Sequence, residues 1–156
     1  MLKRVGRVFV AVLVVAGVAA LVSAQAKNPR VGKWKLKSDA PPPAINIMTY
    51  EPFGKGGMKV TVESKNAQGR ETKWTYTTMF DGKDEPVAGH PSADTTSVKK
   101  IDDRTTEIVN KKAGKVLQII TNVISADGNT INNTYKNFDA EGKPTRTTTA
   151  VYERIE

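Results

Sequence analysis

The chain has one histidine, His90, within Gly89-His90-Pro91-Ser92-Ala93-Asp94, where His, Ser and Asp recur at intervals of two. Base, nucleophile and orienting carboxylate are the parts of a hydrolytic triad. Triad members, however, meet from separate elements, and Pro91 breaks regular geometry inside this run. The segment reads as a polar surface loop. His90 with Asp81, Asp84, Glu85 and Asp94 would make at most a weak oxygen-ligand metal site, because transition-metal centres recruit several His or Cys. No metal is expected. Asp102-Asp103 falls in a turn, where solvated carboxylates have no reason for the raised pKa of a general acid. Zero cysteines exclude thiol catalysis, thiolate metal sites and disulfides. Gly54-Lys55-Gly56-Gly57 lacks the strand-to-helix setting of a phosphate loop, so no cofactor is implied. No catalytic residue is assigned.

The residue set that does suggest a site is apolar and aromatic: Met58, Val60, Val62, Trp74, Tyr76, Tyr135 and Tyr152. Met58, Val60 and Val62 alternate with Lys59, Thr61 and Glu63, while Trp74, Tyr76 and Phe80 lie opposite Glu71, Lys73 and Thr75. Small-molecule pockets are mostly apolar with a few polar anchors, and Tyr152 would be such an anchor. The competing reading is plain core packing, since small barrels are often filled by their own side chains.

Strands must position these residues. Period-two alternation runs the length of the chain after the first 24 residues, broken by turns at Asn66-Ala67-Gln68-Gly69, Asp81-Gly82, Lys112-Ala113-Gly114, Asp127-Gly128-Asn129 and Ala140-Glu141-Gly142-Lys143. Gly114, Gly128 and Gly142 fall 14 residues apart, which sets strands of about ten residues. The pattern predicts strands at 31–37, 45–51, 57–63, 70–80, 95–101, 105–111, 115–125, 130–138 and 144–154, with a short one at 85–87. Lys115 to Ser125 is apolar on both faces and is expected to be buried twice or covered. Nine or ten antiparallel strands joined by tight hairpins suit an up-and-down barrel, all-β and without exposed edges. A two-sheet sandwich is the alternative.

The first 24 residues read as an export signal. Lys3, Arg4 and Arg7 precede an apolar run from Val8 to Val22, and Val22-Ser23-Ala24 offers a cleavage site, with Ala24-Gln25-Ala26 a second. An uncleaved anchor is the alternative, although the run is shorter than the roughly 20 residues of a spanning helix. Residues 25–156 then form one domain, exported to the periplasm or beyond, with no membrane span after cleavage. The 24 Lys+Arg against 16 Asp+Glu lose three cations with the signal, leaving a net charge of +5. Those lysines are scattered among acids without stacking aromatics, so no nucleic-acid partner is expected.

Gly32-Lys33-Trp34-Lys35-Leu36 resembles the G-x-W opening of the calycin superfamily, the lipocalins and fatty-acid-binding proteins. Val151-Tyr152-Glu153-Arg154 resembles the closing strand of the fatty-acid-binding proteins, and the likeness extends to small secreted bacterial lipocalin-like domains of unassigned function. The resemblance implies a barrel of lipocalin type with about 8–10 strands. It also implies that Trp34 plugs one end and packs against Arg154. Two features depart from the family. Only Ser38 to Ala44 separates the first two strands, where fatty-acid-binding proteins insert two helices. Their Arg-x-Tyr carboxylate motif reads Ala150-Val151-Tyr152 here, so a fatty-acid carboxylate would need another cation, Arg146 or Arg70. The implied function is non-enzymatic binding or carriage of a small hydrophobic ligand. The alternative is an envelope interaction module with a filled core and a basic surface, whose protein partner the sequence leaves unknown.

Overall fold

Alternating faces and β-branched residues favour a pleated surface that is buried on one side, and a computed structural model, which describes residues 28–156, has that form throughout. Ten strands follow one another: β1 (Gly32–Leu36), β2 (Ile45–Phe53), β3 (Gly57–Lys65), β4 (Glu71–Thr78), β5 (Asp81–Pro86), β6 (Thr95–Lys100), β7 (Thr105–Lys112), β8 (Lys115–Ile124), β9 (Thr130–Phe138) and β10 (Pro144–Arg154). All neighbours are antiparallel, in the order β4-β3-β2-β1-β10-β9-β8-β7-β6-β5. The first and last strands meet along Trp34–Arg154, Lys35–Glu153 and Leu36–Tyr152.

The ring closes differently between β4 and β5, which are consecutive in sequence yet not paired as strands. The loop after β5 reaches back to β4 instead. Thr75 N–H donates to the Ala88 carbonyl at 2.9 Å, and Ala88 N–H to the Thr75 carbonyl at 3.0 Å. Two hydrogen bonds therefore close one seam of a nearly complete up-and-down barrel. A single nearly closed sheet, with no second sheet among the described residues, sets aside the sandwich.

The core is the inner face of the ring, from Trp34, Met48 and Tyr50 across Val60, Val62 and Tyr76 to Ile108, Ile120, Ile131 and Tyr152. The expected signal at 1–24 lies outside the described residues.

Two expectations need correction. The strand expected at 85–87 begins at Asp81, because Asp81-Gly82 is not the turn. Phe80 takes that role at φ 60°, and Gly82 at φ 78° sits in a bulge where the β5–β6 register shifts between Asp81 and Asp84. The second concerns β8. Ile120, Asn122 and Ile124 are buried, but the outward Leu117, Ile119 and Val123 are only half-buried, so the strand is not buried twice. Val109 and Lys136 flank Ile119 on the outer face as its cross-strand neighbours.

Candidate functional site

The hairpins divide the barrel into two ends. At one, the turns after β2, β4, β6 and β8 gather; at the other lie the turns after β3, β7 and β9 with the loop 87–94. Trp34 fills the first end. It is 0% exposed, its Nε1 donates to the Arg30 carbonyl at 2.8 Å, and the Arg154 guanidinium stands 4.1 Å over its ring. Arg154 is fixed in turn by the carbonyls of Gly128, Val31 and Pro29.

Above this plug the strands surround a cavity of about 180 Å³. Of the residues expected to line a pocket, Val60, Val62, Trp74, Tyr76, Tyr135 and Tyr152 all face it. Met58 does not. It is buried one register step towards the plugged end and instead bounds a wide groove of about 930 Å³, open to solvent along the hairpin tips. The cavity above the plug, where buried side chains converge, is the candidate site.

Its walls are more polar than the sequence reading anticipates. Asn46, Asn110, Gln118 and Asn133 contribute amides, and Tyr50 adds a fourth tyrosine. Cross-strand register joins Asn110, Gln118 and Asn133 into ladders. Asn110 Nδ2 donates to Gln118 Oε1 at 3.2 Å, and Gln118 Nε2 to Asn137 Oδ1 at 2.9 Å. A second ladder climbs from the plugged end. Arg30 Nε donates to Asn122 Oδ1 at 2.8 Å, Asn122 Nδ2 to Asn133 Oδ1 at 2.9 Å, and Asn133 Nδ2 to the Tyr135 hydroxyl at 3.0 Å. Burial keeps three of the phenols, Tyr50, Tyr76 and Tyr152, neutral. It pushes Tyr50 up to about 12, an effect that nearby Arg30 only partly offsets, and it raises Tyr76 and Tyr152 as well.

His90 covers the cavity. Rather than a free surface residue, it is half-buried with its ring edge-on to Trp74 at 4.8 Å, and Trp74 stacks at 14° and 5.9 Å beside Tyr76. The loop that carries it is fixed to β4 at Gly89. At φ 81°, Gly89 leaves no room for a side chain, since a Cβ there would meet the Lys73 carbonyl oxygen. Ser92 and Ala93 N–H both donate to His90 Nδ1, at 3.1 and 2.9 Å. Asp94 Oδ2 accepts from Ala113 N–H, and Asp84 pairs with Lys111. His90 therefore engages neither the Ser92 hydroxyl nor Asp94, and among the described residues no group of three His, Cys, Asp or Glu could hold a metal. Arg146 and Arg70 are exposed, outside the cavity.

Because Nδ1 accepts both N–H groups, the ring proton sits on Nε2, and protonation at Nδ1 would break the two bonds. Burial lowers the His90 pKa below its ordinary 6.5. The unfolded chain therefore takes up the proton first. The stability that the loop contributes is whole above about pH 6.5 and is lost as pH falls through that value towards the lower folded-state pKa. The urea midpoint is expected to fall between pH 7.5 and 5, and to fall less in His90→Asn, whose Oδ1 can replace the acceptor. Equal slopes in the two proteins would discard this role for His90.

Two solved structures share the architecture. The fluorescent protein UnaG in its wild-type form is 15% identical over 80% of this chain and 96% of its own, with a TM-score of 0.53. A point mutant of UnaG is 14% identical over 80% and 95%, again with a TM-score of 0.53. At this identity the likeness carries architecture alone, the up-and-down barrel. In this chain only residues 37–44 join β1 to β2, without the inserted helices of the fatty-acid-binding proteins. No protein-family model matches the sequence, and neither does any curated protein. No helix among the described residues is long and apolar enough to cross a membrane.

Proposed function

We propose that residues 25–156 act, after export and removal of residues 1–24, as a non-enzymatic binding protein that holds a small molecule inside the barrel. The observation that carries this reading is the partly open cavity of about 180 Å³ into which strands from both halves of the ring send side chains. A core selected only for packing leaves few voids larger than a water molecule. The seam held by Thr75 and Ala88 lies beside His90 and gives an entry route that leaves the β-ladders intact. Native mass spectrometry of protein purified from the exporting cell tests the reading. A reproducible small-molecule adduct, lost in Trp74→Ala, is the expected result. A bare mass with no uptake of a cavity dye would overturn it. The assignment would then move to an interaction module, a reading that draws on Phe53, Met79, Ile101 and Ile155, all exposed together at the plugged end.

A further inference from the structure

We infer that the cavity selects an uncharged, ring-sized molecule carrying a hydrogen-bond donor, and that Asn46 is the acceptor which recognises it. The inference rests on the reading of the barrel as a binding protein and adds the chemical class of its ligand.

Charge comes first. None of the residues lining the cavity is Asp, Glu, Lys or Arg. Its one histidine accepts two N–H groups at Nδ1, and Tyr50, Tyr76 and Tyr152 stay protonated because burial raises them. The nearest buried cation, Arg30, lies beyond Asn122, and its donors go to the Asn122 side chain and to the Asn122 and Arg104 carbonyls. A carboxylate or an ammonium entering here would leave water and find no counter-charge, which is strongly unfavourable. The fatty-acid carboxylate that the family resemblance implies is therefore a poor match for these walls.

Polarity comes second. Asn110, Gln118 and Asn133 meet other side chains within the ladders. Asn46 does not. Its Oδ1 is the one buried side-chain polar atom among the described residues with no hydrogen-bond partner. Buried acceptors are nearly always satisfied, and an orphan in a cavity wall points to a group that arrives from outside the chain. An N–H or O–H on the ligand fills that place.

Size and shape come third. An apolar cavity of about 150 Å³ holds a benzene molecule, so 180 Å³ accommodates one substituted ring. Trp74 and Tyr76, near-parallel at 14°, give such a ring a flat wall.

The test uses benzamide and benzoate, which share a ring and a planar substituent but differ in charge and in donor N–H. Binding to the chain from Gln25 is read by NMR shift titration at pH 7.5. Benzamide is expected to bind at least about tenfold more tightly than benzoate, a difference of roughly 1.4 kcal/mol. Benzamide affinity is expected to fall about tenfold in Asn46→Leu, and in Asn46→Ala should the leucine perturb the fold, while benzoate stays excluded because the walls still offer no counter-charge. Benzoate binding as tightly as benzamide would overturn the ligand class while leaving the binding reading intact. An unchanged benzamide affinity in both variants would remove Asn46 from recognition. Binding of neither probe would also overturn the inference, and the adduct search by native mass spectrometry then decides whether the binding reading falls with it.

Discussion

Trp34→Ala is expected to destabilise the domain by about 3–5 kcal/mol, the range for truncating a large buried aromatic side chain. Trp34 is fully buried at the end of the barrel where β1 meets β10, and three separate interactions converge on it. Its ring closes the core, its Nε1 is the donor to the Arg30 carbonyl, and its face receives the Arg154 guanidinium. Alanine would open a cavity, orphan that carbonyl and leave Arg154 held only by the backbone of the segments it ties together. Domains of this size carry about 5–15 kcal/mol in total, so roughly a fifth or more of the stability is at stake. Trp34→Phe keeps most of the volume and loses the donor, and should cost clearly less. Urea midpoints at unchanged m-value measure both. A Trp34→Ala loss below about 1 kcal/mol would mean that the end of the barrel refills around the gap and that the tryptophan is not its plug.

The architecture was legible because period-two alternation and turn glycines act over a few residues, and the sequence states them directly. β9 and β10 match their expected bounds, Thr130–Phe138 and Pro144–Arg154. The start of β5 was hidden because an Asp-Gly pair serves equally as a hairpin turn or as a bulge. A non-glycine residue in the left-handed region, Phe80, decides between them, and composition gives no sign of it. The placement of Met58 failed for a related reason. Alternation gives the side of a strand, not the height along the barrel, and Met58 sits inside but below the cavity floor.

The amides were missed for a different cause. Asn110 shares parity with Ile108, and Asn133 with Ile131 and Tyr135, so period two already turns them inward. Hydropathy argues the opposite, because a lone inward amide is costly. Register resolves the conflict: Asn110 stands opposite Gln118, Gln118 opposite Asn137, and Asn122 opposite Asn133. Each of these inward amides faces another that satisfies it, unlike Asn46 opposite Ser64, and only strand pairing reveals those matches. His90 was likewise placed by the seam between β4 and loop 87–94, a contact that no local pattern encodes.

The ladder that begins at Arg30 makes the second large prediction. Asn122→Leu, close to isosteric, is expected to cost about 3–5 kcal/mol, as when a buried charge loses a partner. Arg30 is 3% exposed and has no carboxylate partner among the described residues. Burial pushes its pKa down, and its Nε depends on Asn122 Oδ1. Leucine would leave that N–H facing a methyl group and strip Asn133 of its donor. If the buried charge is the source of the cost, removing it should return part of the stability. Arg30→Met combined with Asn122→Leu is therefore expected to unfold at a higher urea concentration than Asn122→Leu alone. Residues that share no interaction add within about 0.3–0.5 kcal/mol. Simple additivity of the two losses would show that Asn122 acts through packing and that the guanidinium does not depend on it. The same pair of variants separates fold from site. Asn122→Leu releases Asn133 and with it the Tyr135 hydroxyl in the cavity wall, so ligand affinity should stay depressed in the double variant even where stability has recovered.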